Sequence, residues 1–344
     1  MTEPSPSFRD KLEVTTAREW VTILSKYREP NQLRSAFELG VSVAPFLLLW
    51  GLAWASLSVS YWLALAISVL NAAFLLRLFA IQHDCGHGAF FKNRALSDWV
   101  GRAIGVVTLT PYDVWRRTHS THHNSAGNLD KRGMGDIHTL TVAEYNALTP
   151  VNRLRYRLYR HPLTLFGFGP GYLFLFQNRL PLGLTGNLRF WISAMGTNAA
   201  IFFVLFAICY FGGLMPVLLI FLPSTLIAAT AGVWLFYVQH QFEDTHWNSD
   251  EDWQLHEAAL HGSSYYKLPA VLQWFSANIG IHHVHHLYSR IPFYRLTEVL
   301  RDHTELADSN QMTIRESFAN ARLHLWDEQG KRLLSFAEAR ALYG

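Results

Sequence analysis

Two long stretches of this chain run on in apolar residues without a single charge. No Lys, Arg, Asp or Glu occurs between Glu38 and Arg77 or between Arg189 and Glu243, windows of 38 and 53 residues. A helix needs roughly 20 apolar residues to cross a hydrocarbon layer about 30 Å thick, so each window has room for two spans and a tight turn. Turn residues stand where the windows must fold back, at 56–60 in the first and at 210–216 in the second, where Gly212, Gly213 and Pro216 break the helix. The pattern predicts spans near 39–56, 60–80, 189–210 and 216–239. Helices of a soluble protein generally keep a polar face, and these stretches have none. Two further apolar stretches are too broken to span. Residues 163–176 carry Gly167, Gly169, Pro170 and Gly171, and residues 268–281 carry Pro269 and Gly280. Both predict segments lying in the membrane interface. From Ser289 onward the chain is charged and mixed, with helical patterning over 314–326, which predicts a cytoplasmic cap. No internal repeat is visible. The expected fold is all-α and integral to the membrane: four transmembrane helices in two hairpins, one domain over 1–344, with segments 81–188 and 240–344 outside the spans.

Composition and charge sharpen this reading. Of 344 residues, 50% are hydrophobic and 16% charged, where a soluble domain carries about a quarter charged. Twelve Trp, 23 Phe and 14 Tyr suit lipid-facing and interfacial surface. So much apolar mass excludes a disordered chain. Cys85 and Cys209 are too few for a disulfide framework and fit a reducing compartment. A net charge of +3 gives no reason to expect a nucleic-acid partner. Six Lys or Arg precede Glu38 and none lies in either turn, so both termini and the long middle segment are expected on the cytoplasmic side of the membrane. Arg77, near the end of the second span, is expected to snorkel to the interface. Residues 1–10 are polar, with Pro4 and Pro6. They predict no cleavable signal, and the first apolar window then serves as the insertion signal.

Histidine is the unusual residue, with 17 copies. His83 and His87 stand at the end of the second span. His119, His122 and His123 lie in the middle segment, and His282, His283, His285 and His286 follow the fourth span. On a helix, spacings of three and four bring side chains to one face. His83 and His87 therefore converge, as do His119, His122 and His123, and likewise His282, His285 and His286, while His283 points elsewhere. The isolated His138, His161, His246, His256, His261, His303 and His324 are read as ordinary core or surface residues. All three clusters fall on one side of the spans placed from charge alone, so they can meet. Eight imidazoles exceed the four or so ligands that one metal takes and match two metals with about four nitrogens each. Imidazole suits iron, copper and zinc alike, so ligand type leaves the metal open. The setting narrows it. Apolar helices beside the site suit a chain-like substrate, and attack on an unactivated C–H bond needs oxygen and a redox metal, which zinc is not.

With these boxes in this order the chain resembles the integral-membrane fatty acid desaturases, whose pattern is H-x(3–4)-H, H-x(2–3)-H-H and a late H/Q-x(2–3)-H-H. Finer strings are similar to the bacterial acyl-lipid branch: His83-Asp84-Cys85-Gly86-His87-Gly88, Asn128-Leu129-Asp130-Lys131-Arg132-Gly133, Val238-Gln239-His240-Gln241-Phe242-Glu243, and residues 282–287 followed by Arg290-Ile291-Pro292. The resemblance implies two iron ions held by His83, His87, His119, His122, His123, His282, His285 and His286. It adds His240, the histidine that the family places at the end of the fourth span. Some members carry an Asn four residues earlier as a water-mediated ligand; here that position is Phe236, a departure from the pattern. The implied reaction uses O2 to introduce a cis double bond into a fatty acyl chain, with oxygen leaving as water.

Around such ligands the second ring nitrogen donates to a carboxylate or carbonyl, and Asp84, Asp130, Asp136, Glu243 and Asp244 are candidates. Trp115, Trp234, Trp247 and Trp274 are candidates for the wall of an acyl tunnel. Fused family members carry a His-Pro-Gly-Gly haem motif, whereas the His-Pro here, His161-Pro162, is followed by Leu163. The implied electron donor is therefore external, a ferredoxin or similar protein. Arg116, Arg117, Lys131 and Arg132 suit an acidic donor and equally suit anionic headgroups of membrane lipids. Membrane hydroxylases and alkene-forming fatty acid decarboxylases share the boxes, and the finer strings favour desaturation over them. A zinc peptidase needs the glutamate of H-E-x-x-H, which none of the boxes contains. A transporter needs ligands at mid-membrane, where the spans offer only His240 at an end. Double-bond position and acyl carrier are left open by the residues.

Overall fold

The structure, a computed structural model, describes residues 16–344. The expectations about residues 1–10 lie outside the described residues. Among the described residues four helices are long and apolar enough to cross a membrane: Gln32–Ser56, Tyr61–His87, Leu188–Gly212 and Val217–His240. We label the helices that matter for the site α1 (Gln32–Ser56), α2 (Tyr61–His87), α3 (Arg94–Val107), α4 (Tyr112–His123), α5 (Leu188–Gly212), α6 (Leu222–His240, entered through a wider π turn at Val217–Phe221) and α7 (His282–Leu287). Local sequence explains where they begin. Asn31, Ser60 and Asn93 each accept a backbone N–H of the first turn of α1, α2 and α3 on their side chains, satisfying donors that a helix start otherwise leaves unpaired. Gly88 ends α2 in a left-handed conformation (φ 69°), so that the Ala89 amide bonds back to the Asp84 carbonyl at 2.9 Å.

Two of the expected boundaries move. Helix α1 starts at Gln32 and takes Glu38 inside, and α2 runs on to His87 rather than stopping near 80. The first histidine pair thus rides on the last two turns of a membrane-length helix. Arg77 is a correction to its expected place. It does not snorkel: it is 1% exposed and ion-paired with Glu38, and its Nε donates to the Ser42 hydroxyl at 3.0 Å. Its guanidinium lies 3.9 Å above the Trp274 ring and donates to the Trp274 carbonyl. A counter-charge at the same depth on α1 keeps the cation inside. Elsewhere the long helices turn apolar side chains outward. Among the 25 residues of α5 only Ala194 is buried, and Ile192, Phe202, Phe203 and Phe206 are exposed, a surface that suits lipid rather than water.

The region beyond the spans is not purely helical, which corrects the all-α expectation. Strands β1 (Leu140–Thr141), β4 (Leu325–Asp327) and β5 (Arg332–Leu334) form a small sheet, β1 parallel and β5 antiparallel to β4. Strands β2 (Tyr265–Lys267) and β3 (Gln311–Thr313) form a parallel pair. Helix patterning over 314–326 holds only for Ile314–Asn320, started by a Thr313–Glu316 capping box. Beyond it Leu325, Trp326, Leu333 and Leu334 are all buried, and a two-sided apolar run pairs as strand where an amphipathic helix would expose one face. The broken apolar stretches become short surface helices. Gly169–Leu175 follows a π turn and leaves Tyr172 exposed, with Phe176 exposed just beyond it, and Ala270–Phe275 leaves Val271 and Leu272 exposed. One apolar cluster ties these parts together beneath the histidines, with Leu75, Ile81 and Cys85 of α2, Phe90, Ile104 of α3, Val284 of α7 and Phe293 among its buried members.

Candidate metal centre

All nine histidines singled out in the sequence come together, in two adjoining groups. His83, His87, His119, His123 and His285 form one, and His122, His240, His282 and His286 the other. Within each group every residue offers a ring nitrogen within 4.8 Å of the others. Four elements supply them: the last turns of α2, the length of α4, the last residue of α6, and α7. Helical spacing explains the convergence and also how neighbours divide. His122 and His123 are adjacent on α4 and therefore point to different groups, and α7 sends His285 to one and His282 and His286 to the other. His283 turns away and bonds the Leu306 carbonyl at 2.8 Å. Of the histidines read as ordinary, none belongs to either group among the described residues.

The ring nitrogens fit a metal and little else. His122 Nδ1 meets the Asp136 carboxylate, His240 Nδ1 donates to the Gly262 carbonyl at 3.2 Å, and His83 Nδ1 lies 3.4 Å from Asp84. A neutral imidazole has one N–H and one lone pair, so rings that donate outward through Nδ1 turn lone pairs inward on Nε2. There they face one another. His122 and His240 stand 3.1 Å apart at Nε2, His240 and His282 3.0 Å, His119 and His123 3.1 Å, and His123 and His285 3.1 Å. The buried Nε2 atoms of His83, His87 and His286 have no hydrogen-bond partner. Converging lone pairs and orphaned buried nitrogens are costly unless a cation sits among them. Burial first, and neighbouring imidazoles second, push His119, His123, His282, His285 and His286 well below the usual imidazole range. These rings are therefore neutral at physiological pH, the form that binds metal.

Of the five carboxylates proposed around the site, Asp136 and Asp84 meet ligand-type histidines. Asp84 is held in place by the Phe293 amide, which donates to it at 2.7 Å. The other three do not. Asp130 accepts from the Asp250 amide, Glu243 pairs with Arg332, and Asp244 is exposed. Phe236 stands over the second group, its ring 5.0 Å from His122 and 5.4 Å from His240.

A cavity of about 600 Å³ opens against the centre. His83, His119 and His282 share its wall with Leu75, Leu76 and Phe79 of α2 and with Ala228, Ala229 and Gly232 of α6. Asp136 is the single carboxylate on that wall, and no Lys or Arg lines it. Trp115 lines the cavity as expected. The other three tryptophans do not. Trp234 packs on Phe166 and Phe318, Trp247 on Trp326, and Trp274 under Arg77. The small residues of α6 that open the space carry no chemical signal in the sequence, so the cavity's true walls escape a search for aromatic residues.

Membrane-length apolar helices that end in a buried, two-lobed histidine cluster beside an apolar cavity define a class of protein suited to metal chemistry on an apolar substrate. Comparison with known proteins says which one. The pattern of the fatty acid desaturase family matches residues 60–318. A fatty acid desaturase of Bacillus subtilis is 44% identical over 314 residues, covering 91% of this chain and 89% of the relative. An sn-1 acyl-lipid omega-3 desaturase (ferredoxin) of Synechocystis is 28% identical over 64% of this chain and 61% of the relative. An sn-1 oleoyl-lipid 12-desaturase of Anabaena variabilis is 25% identical, covering 72% and 70%. This chain belongs to the fatty acid desaturase family.

Proposed function

We propose that the protein is an oxygen-dependent acyl-lipid desaturase of the bacterial inner membrane that introduces a cis double bond with a di-iron centre and an external ferredoxin-type donor. One observation carries this most: two sets of converging imidazoles share a wall with an apolar cavity that no Lys or Arg lines among the described residues. Five histidines (His83, His87, His119, His123, His285) would hold one iron and four (His122, His240, His282, His286) the other. Bound iron would supply the redox capacity to reduce O2 and remove hydrogen from carbon. The chain's own residues do the rest. Leu75, Leu76, Phe79 and the small side chains of α6 take up a methylene chain and exclude water from it. His83, His119 and His282 bring the centre to the chain's side, and Asp136 and Gly262 fix the rings of His122 and His240 by holding Nδ1–H. The two helix pairs, α1 with α2 and α5 with α6, would cross the membrane as hairpins with the histidines on the cytoplasmic side, as the basic residues predict. Relatives named as acyl-lipid and ferredoxin enzymes support the choice of carrier and donor.

The test is product chemistry. Expression in a bacterial host beside a His122→Ala control, with gas chromatography and mass spectrometry of derivatised acyl chains, should give a new olefin in the first and none in the second. Hydroxylated chains or a terminal alkene would move the assignment to the sister chemistry of the same centre. A finer expectation concerns the ring-holding carboxylate. Asp136→Asn should lower metal retention and product yield about 10- to 100-fold, the range usual for a lost partner of a metal-ligating histidine. Asp130→Asn, which touches no histidine of the centre, should leave both near wild type. Iron content and product measured on the same preparations check the pair.

A further inference from the structure

The two histidine groups differ in how they meet the outside. His122, His240, His282 and His286 are all buried, whereas His87 and His123 of the other group are partly exposed, and neither lines the cavity. Two glycines flank His87, and side chains of α3 and α4 close over them. At Gly86 a Cβ would stand 2.8 Å from Cζ3 of Trp115, so the indole occupies the space a side chain would need. Gly88 has φ 69°, and a Cβ there would run into the Arg94 guanidinium. Arg94 in turn donates to the Gly86 carbonyl at 3.0 Å.

Positive charge rims this corner. Arg94 and Arg116 share one carboxylate, Asp98, at 3.1 and 3.0 Å. Lys92, in the turn from α2 to α3, and Arg117, next along α4, are exposed. Arg116 lies on the face of α4 that carries His119 and His123, at spacings of three and seven. Lys131 and Arg132, expected from the sequence to serve a donor, are likewise ion-paired. Lys131 pairs with Asp250 at 2.5 Å, and Arg132 with Glu144 at 2.5 Å and with the Thr139 carbonyl at 2.6 Å.

We infer that an acidic one-electron carrier protein docks on the corner formed by Gly86–Gly88, Lys92, Arg94, Arg116 and Arg117, and delivers its electrons through the exposed edge of the five-histidine group. The inference rests on the di-iron reading above. Each encounter would oxidise one donor by one electron, and two encounters would supply the two electrons that a pair of ferric ions held by these histidines takes up, with no bond made or broken. Charge complementarity of this kind acts mainly on encounter and is weakened by salt.

Direct binding tests it. The purified iron-loaded protein in uncharged detergent is titrated with an acidic [2Fe–2S] ferredoxin, for wild type, Lys92→Glu, Arg117→Glu and the distant control Arg155→Glu. The two corner variants should bind ferredoxin at least about tenfold more weakly at low ionic strength, with the gap closing as salt rises. Their iron content should match wild type, and so should turnover driven by a chemical reductant through a neutral mediator. Arg155→Glu should bind as wild type does. Ferredoxin affinity unmoved by both corner substitutions overturns the assignment. So does a loss confined to binding of phosphatidylglycerol vesicles, which would make the corner a lipid surface. Failure of the function reading would show separately, as a wild-type protein that binds ferredoxin yet retains no iron, and this removes the ground of the inference without altering the surface measurement.

Discussion

Replacement of His240 by alanine is expected to abolish product and to halve the iron, from about two ions per chain to about one. His240 belongs to none of the three histidine boxes, so its place in the centre is the strongest single claim of the geometry. It is the last residue of α6 and sits in the middle of its group, with Nε2 3.1 Å from that of His122 and 3.0 Å from that of His282. Its other nitrogen is fixed by the Gly262 carbonyl. Alanine leaves three imidazoles where four converged and removes the one that bridges the remaining pairs. Losing a ligand costs more than losing a ligand's partner, so the fall in yield should exceed about 100-fold. The five-histidine group shares no member with this one, which is why one iron should remain. His246→Ala is the fair comparison, since that ring meets Asn248 at 3.0 Å and lies outside both groups. Metal analysis and acyl-chain profiling of the two variants give the answer. Two irons retained in His240→Ala would make His240 a structural residue and break the four-histidine site.

The second large effect is on stability. Arg77→Met should destabilise the protein by about 3–5 kcal/mol, because it leaves the Glu38 carboxylate buried with its main partner gone. Glu38 is 1% exposed, and its remaining cation, Arg34 at 2.6 Å, reaches it from a side chain that is 53% exposed. The Ser42 and Trp274 contacts of the guanidinium go as well. The double variant Glu38→Gln/Arg77→Met should regain much of the loss, since a buried ion pair replaced as a unit is often nearly neutral. Unfolding in detergent of the two single variants and the double variant closes the cycle. A double variant as unstable as the sum of the singles would show that the residues act independently and that the pair is not what holds α1 to α2.

What could be seen in the sequence followed the physics that sequence carries. Charge-free windows longer than any soluble helix needs gave the four apolar helices, the last two to within a few residues and the first two short by seven at one end, and spacing of three and four gave the histidine faces. His240 was reachable only through family resemblance, because a single histidine at a span end has no periodicity to mark it. Three features were illegible for stated reasons. Arg77 reads as an interfacial cation unless one knows that Glu38 lies beside it across the helix pair. Strands of two or three residues, such as β1 and β4, are too short to show alternation. The division of neighbours into groups of five and four depends on where α2, α4, α6 and α7 meet, and spacing within one helix is silent on that. Asp136 and Asp130 look alike in the chain, yet a turn through Gly133 and Gly135, both at positive φ, brings only Asp136 to His122.

Helix α7 is only six residues long, too short to persist without its surroundings, and it contributes to both histidine groups. This sets an order of events during synthesis. Before α7 leaves the ribosome, the nascent chain holds four members of one group, His83, His87, His119 and His123, and only His122 and His240 of the other. Neither is closed, and both close together when the same short helix docks through its buried Val284 and Leu287. Metal uptake by the completed groups would thereby wait for the final packing of the chain.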